Sequence, residues 1–167
     1  GVVPTDMQYL PIRFFLRKNV VIRTVADRFL FWMPLWSLMV RNYVFPGPAE
    51  KCISTLQNGN LLQISPGGTR EALFATLRYE TIWNNRCGFA RVARESGVDI
   101  IPIFTRNIRH MCIIPEVFQR LLRPVYESYR LPVVPIFGGF PGKLRTYVGK
   151  PIRADSVDNA EGLAKAT

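Results

Sequence analysis

The sequence is poor in the residues on which most metal and nucleophilic chemistry is built. Its 167 residues hold one histidine, His110, and three cysteines, Cys52, Cys87 and Cys112, and neither set has the spacing of metal ligands. An odd, scattered cysteine count argues against a zinc site and a disulfide-stapled scaffold, and favours a reducing, cytosol-facing environment. A mechanism that needs an imidazole base must use His110 or a histidine outside these residues. Ser65 has no Gly-x-Ser-x-Gly elbow around it and is not a nucleophile candidate.

Acidic residues are also scarce. Twelve Asp and Glu stand against 22 Lys and Arg, a formal charge of +10, so an anionic partner is expected: nucleic acid, acidic lipid headgroups, or a phosphorylated small molecule such as coenzyme A. The cations occur as singles and pairs, as in Arg17-Lys18, with no basic run. Nucleic-acid binders concentrate their charge, so nucleic acid ranks behind the other two. No apolar run is long enough to cross a bilayer. The greasiest, Phe29 to Val40, has 12 residues with Pro34 inside it. Trp32 and Trp36 between Arg28 and Arg41 suit an interfacial hairpin or helix, and equally a core helix, since periodicity does not separate the two. The sequence opens on Gly1 with a motif beginning at once, and is read as one domain truncated at both ends.

What is present is an alternation of strands and helices. A helix is expected from Pro4 to Lys18, kinked at Pro11, then a short strand from Val20 to Val25 and a helix from Pro48 to Gly59. A second helix is expected over Arg86 to Ser96, a buried strand interrupted by Pro102 over Val98 to Thr105, a helix over Ile114 to Arg130, a strand over Leu144 to Val148, and a helix at the end. This order implies an α/β fold, a mainly parallel central sheet flanked by helices.

The chain is organised around Leu61-Leu62-Gln63-Ile64-Ser65-Pro66-Gly67-Gly68-Thr69-Arg70-Glu71. A short apolar strand stops where Pro66 has no N–H to continue the ladder. Gly67 and Gly68 can both take positive φ, so that backbone N–H groups at this strand end can face an anion or a developing oxyanion. Ligands of open α/β sheets sit in the crevice beyond the strand ends. A tight turn carrying solvated Thr69, Arg70 and Glu71 explains the same residues without any site. Residues 72–85 are read as a loop over it.

Five blocks, in order, resemble the glycerolipid acyltransferase superfamily: residues 1–6 ending in Pro4-Thr5-Asp6, Ser-Pro-Gly-Gly-Thr-Arg-Glu at 65–71, Arg-Cys-Gly-Phe-Ala at 86–90, the Pro102 strand, and Val-Gly-Lys-Pro-Ile at 148–152. The likeness is closest to the neutral-lipid branch of monoacylglycerol and diacylglycerol acyltransferases and its transmembrane-protein subgroup. The phospholipid branch carries Phe-Pro-Glu-Gly-Thr-Arg, where this chain has Ser65 and Gly67 in place of the Phe and Glu. The resemblance implies an acyltransferase that moves a fatty acyl group from acyl-coenzyme A to a mono- or diacylglycerol-like alcohol, with no cofactor beyond that co-substrate. Its partners would be a lipid acceptor and a membrane surface, with the domain on the cytosolic side of the endoplasmic reticulum. Asp6 matches the Asp of the family's His-Asp pair, whose His falls ahead of Gly1, so residues 1–167 alone are expected to be inactive. Without the resemblance, Asp6 reads equally as a helix cap. Gly67, Gly68, Thr69, Arg70, Glu71 and Arg86 are the implied substrate-binding residues. Arg70 is assigned to a coenzyme A phosphate or to an acceptor headgroup, and Glu71 is expected to pair with Arg86. A non-catalytic basic module that binds lipid surfaces is the alternative.

Overall fold

The computed structural model describes residues 5–32, 42–75, 86–129, 135, 137–138, 142–156 and 160–167. The first element is the expected helix: α1, Thr5–Lys18, runs as one helix across Pro11. Asn19, at φ 53, then turns the chain, a left-handed conformation that Asn tolerates better than most residues. With three residues between them, α1 is followed by β1, Ile22–Ala26.

β1 is the middle of a three-stranded parallel sheet, with β2, Val44–Pro46, on one side and β3, Leu61–Gln63, on the other. Parallel neighbours need a crossover, and the link from β2 to β3 is the amphipathic helix α2, Ala49–Gln57. Pro48, at φ −67, occupies its N-cap, where a missing N–H costs nothing. Its inner face carries Cys52, packed with Phe45 and Val92, and Val25, Ile53, Leu56 and Leu62 close around them. Burying one such side chain is worth roughly 1.5–3 kcal/mol, so this cluster ties the helix to the sheet.

After β3 the chain enters α3, Gly68–Phe74, and later α4, Gly88–Ser96, which stops at Gly97 in the left-handed region at φ 65. α4 lies between α2 and the terminal helix α7, Ala160–Ala166. Ala90 and Leu163 are fully buried there, and the small alanine lets the helices approach. A second core cluster, Leu73, Phe74, Ile114 and Tyr126, joins α3 to α6, Glu116–Tyr129. The Phe74 and Tyr126 rings meet with centroids 5.4 Å apart at 58°, within the tilted geometry that aromatic pairs favour.

The architecture is α/β with a parallel sheet flanked by helices, as expected, and it carries two antiparallel ribbons as well. β4, Ile103–Arg106, pairs with β7, Arg145–Val148, and β5, Cys112–Ile113, pairs with β6, Phe137–Gly138. The buried strand expected over Val98 to Thr105 is not one strand. Ile100 makes an isolated bridge to Ile152, the carbonyl of Pro102 accepts the Gly149 N–H at 2.8 Å, and β4 begins only at Ile103. Pro102 cannot donate, so the ladder breaks around it. Ile101, Ile103 and Phe104 are about half exposed, because this segment pairs in a ribbon outside the parallel sheet. Of the Phe29 to Val40 segment, residues 29–32 fall in a 3-10 helix, Arg28–Trp32, with Trp32 exposed, and residues 33–40, with Trp36, lie outside the described residues. Of the expected loop over 72–85, residues 72–74 complete α3 and 76–85 lie outside the described residues. No helix among the described residues is long and apolar enough to cross a membrane.

Candidate functional site

Because all three strands of the sheet are parallel, Asp27 after β1 and Ser65-Pro66-Gly67 after β3 leave at the same edge. One hydrogen bond closes that edge: the Thr69 hydroxyl donates to Asp27 Oδ2 at 3.0 Å. Asp27 went unremarked in the sequence. The only signal for it was its place as the first residue after a parallel strand.

Within the turn the two glycines differ. Gly68 takes positive φ, +54, as expected, and donates its N–H to the Ser65 carbonyl at 3.1 Å. That N–H is therefore spent within the turn and does not face a ligand. Gly67 is in the ordinary right-handed region at φ −73, ψ −21, so its freedom to take positive φ is not used. It is needed for space, since a Cβ at this position would run into the Glu71 side chain.

The helix that follows is bolted down by ion pairs from distant elements. Arg70 Nη2 lies 2.9 Å from Glu127 Oε1 on α6, with the arginine side chain 16% exposed. The same carboxylate accepts from Arg123 at 3.3 Å. The hydrogen bonds from Arg70 and then Arg123 hold Glu127 below the usual carboxylate range. Glu71 Oε1 accepts from Arg109 Nη2 at 3.2 Å. Arg109 belongs to α5, Ile108–Met111, and the expected Glu71–Arg86 pair is replaced by this one. Arg109 and Glu71 are 12% and 23% exposed, so the contact is largely withdrawn from water and stronger than a surface pair.

Arg86 is elsewhere, and usefully so. A cleft of about 390 Å³ lies between Ile64, Ser65 and Pro66 on one side and the segment from Arg86 to Arg91 on the other. It brings residues of the two sequence blocks 65–71 and 86–90, separated in the chain by residues 72–85, to one place. Arg86, Arg91 and the first turn of α4 line it, and so does Cys87. A helix start and two guanidinium groups around one cleft make an electropositive environment suited to an anionic group or an oxyanion. Burial pushes the Cys52 thiol up, which leaves Cys87 as the more accessible of these two.

Asp6 falls in the first turn of α1, and its side chain lies outside the described residues. The last turn of α1 is joined to the amino end of β1, so Asp6 is at the opposite end of the helix, about 18 Å from Lys18 at 1.5 Å per residue. His110 is exposed on α5. Among the described residues no group of three His, Cys, Asp or Glu is placed to hold a metal ion.

No family model matches the sequence, and no solved structure matches it. Curated proteins do. A Bos taurus protein named "DGAT1/2-independent enzyme synthesizing storage lipids" is 46% identical over 173 residues, covering 100% of this chain and 50% of that protein. The Homo sapiens protein of the same name is 45% identical over 173 residues, covering 100% of this chain and 52% of its own length. The Gallus gallus protein of that name is 43% identical over 168 residues, again with 100% and 50% covered. The chain spans about half the length of the curated relatives it matches. From first residue to last, then, this chain is similar to enzymes named for the synthesis of storage lipids.

Proposed function

We propose that the full-length protein is a membrane-associated O-acyltransferase of neutral-lipid synthesis, transferring a fatty acyl group from acyl-coenzyme A to a mono- or diacylglycerol-like alcohol. The observation that carries this reading is the convergence of the Pro-Gly-Gly turn and the Arg86 segment on one cationic cleft at the carboxyl edge of the sheet. The names of the relatives agree with it.

In this reading Asp6 orients an imidazole supplied by the part of the protein ahead of Gly1. The imidazole takes the acceptor hydroxyl proton as that oxygen attacks the thioester carbonyl, forming a C–O bond and an oxyanion. The oxyanion collapses, the C–S bond breaks, and the imidazolium returns its proton to the departing thiolate. Since the Gly68 N–H is engaged by Ser65, stabilisation of the oxyanion falls to the first turn of α3, beginning at Thr69, and to the Arg86 side of the cleft. Arg70 and Glu71 act as bolts that hold the turn, through Glu127 and Arg109. A neutral acceptor follows from Gly67, which stands where the phospholipid branch has Glu.

Association with a cytosol-facing membrane, the endoplasmic reticulum in this reading, is supported by the charge of +10 and by an apolar stripe on α6. Val117, Leu121 and Val125 follow one another at four-residue spacing and are 74%, 67% and 44% exposed. The test is acyl transfer by full-length protein to a panel of acceptors. Asp6→Asn should lower kcat far more than it raises KM, because an orienting carboxylate acts in the transition state. Unchanged kcat in Asp6→Asn, or transfer confined to phosphorylated acceptors, would overturn the reading.

A further inference from the structure

A second concavity, larger than the cleft beside the Pro-Gly-Gly turn, lies elsewhere among the described residues. It is a groove of about 650 Å³ between α1 and the chain entering and forming β7, with Leu144 just ahead of the strand and Thr146 and Val148 on it. One face of α1 forms its other wall: Leu10 and Phe14 at four-residue spacing, with Arg13, Arg17 and Lys18 beside them. That volume falls in the range of roughly 300–1,000 Å³ typical of small-molecule and cofactor sites.

The chemistry of the lining is one-sided. Three cations line the groove and no carboxylate does, and among the described residues none of the three is in an ion pair. Arg17 and Lys18 also complement the negative end of the helix dipole, but Arg13 sits mid-helix, where the dipole gives it no such role. Arg13 lies over the Tyr9 ring at 6.0 Å, a cation–π contact with another residue that lines the groove. Opposite the cations, Leu144 and Val148 present apolar surface. The ligand that fits is long, has a polyanionic end, and is largely uncharged along the rest of its length.

We infer that this groove holds the pantetheine arm and phosphates of the acyl-coenzyme A donor, an assignment that rests on the acyltransferase reading above. Geometry on the same helix supports it. Arg13, Arg17 and Lys18 lie seven to twelve residues beyond Asp6, so about 10–18 Å along the helix axis separate them from the proposed reaction centre. A pantetheine arm bridges a gap of that order. With the phosphates on the cations, the thioester reaches the Asp6 end of α1 and the acyl chain continues away from the groove.

The experiment measures binding of coenzyme A itself, by calorimetry, to full-length protein in lipid nanodiscs. The combined variant Arg13→Gln, Arg17→Gln, Lys18→Gln should bind at least about tenfold more weakly and lose much of the salt dependence of the parent, as expected when exposed charge pairs are removed. Arg13→Lys with Arg17→Lys keeps the charge and should retain most of the affinity, which separates a binding defect from a folding one. Dephospho-coenzyme A should discriminate less between parent and triple variant than coenzyme A does. If the parent transfers acyl groups while the triple variant binds coenzyme A like the parent, the groove assignment is wrong and the proposed function stands. If the triple variant binds coenzyme A normally but no longer adsorbs to phosphatidylserine vesicles, the groove faces the membrane and the inference is equally refuted. A parent that neither binds coenzyme A nor transfers an acyl group sinks both readings.

Discussion

Replacing Gly67 with alanine separates backbone freedom from side-chain space. The backbone at Gly67, φ −73 and ψ −21, is open to any L residue, so on conformational entropy alone Gly67→Ala should stabilise by about 0.4–1 kcal/mol. Space dictates the opposite. A Cβ there would meet both the carboxylate end and the Cβ of Glu71, and the second of these cannot rotate away because it is fixed to the helix backbone. The start of α3 must shift, and the carboxylate is pulled from Arg109, its partner at 3.2 Å. A hydrogen bond to a charged group is worth about 1.5–3 kcal/mol, so after the entropic gain the net loss should be about 0.5–2.5 kcal/mol. Gly68→Ala provides the contrast. Nothing lies within 4 Å of a Cβ on Gly68, but its φ is +54, so its cost of about 1–2 kcal/mol is backbone strain alone. Urea unfolding of the full-length protein, repeated in a Glu71→Ala background, tells the two apart. There the ion pair is already lost, so Gly67→Ala should cost less by about 1.5–3 kcal/mol, while Gly68→Ala should cost the same as before. If Gly67→Ala costs as much without the Glu71 carboxylate as with it, loss of the Glu71–Arg109 pair is not the source of the cost.

Acidification should expose the second bolt. Hydrogen bonds from Arg70 and then Arg123 depress Glu127 below its ordinary value of 4.5, so its contribution is present above that pH and is lost as pH falls through the lowered value. The stability gap between parent and Glu127→Gln should therefore close in acid, and a gap that is constant with pH would contradict the ion pair. Alkylation should also sort the cysteines. Cys52 is buried with its thiol pushed up by burial, and Cys87 lines the cleft, so iodoacetamide at neutral pH should modify Cys87 well before Cys52, as mass spectrometry of digests would show. Faster labelling of Cys52 would mean that the core formed by α2 opens readily.

How much of this was legible in the sequence depended on the range over which each signal acts. Helix α4 was readable to within two residues because its stop, Gly97, and its inward residues Ala90, Val92 and Ala93 are local features. The end of β3 was readable for the same reason, since Pro66 removes a donor wherever it sits. The segment over Val98 to Thr105 was misjudged as buried. Its apolar run fits a strand covered on both sides, but whether a second layer covers it is settled by what else packs nearby. The cleft was half legible. Both of its sequence blocks stood out, but that they face one another follows only from the sheet and from the way α4 packs against α2.

The sequence by itself determined the alternation of the main helices and strands, the end of a short strand ahead of Pro66, and an excess of cations with a formal charge of +10. These follow from covalent geometry, short-range periodicity and composition. The tertiary structure alone decided what the residues after the turn do. Thr69 meets Asp27 from 42 residues away, Glu71 meets Arg109 from 38, and Arg70 meets Glu127 from 57. Side chains of one helix face one another only at separations of three or four residues. Partners so far apart in sequence are brought together only when the parallel sheet sets Asp27 and the turn on one edge, and when the Phe74–Tyr126 contact seats α6 against α3.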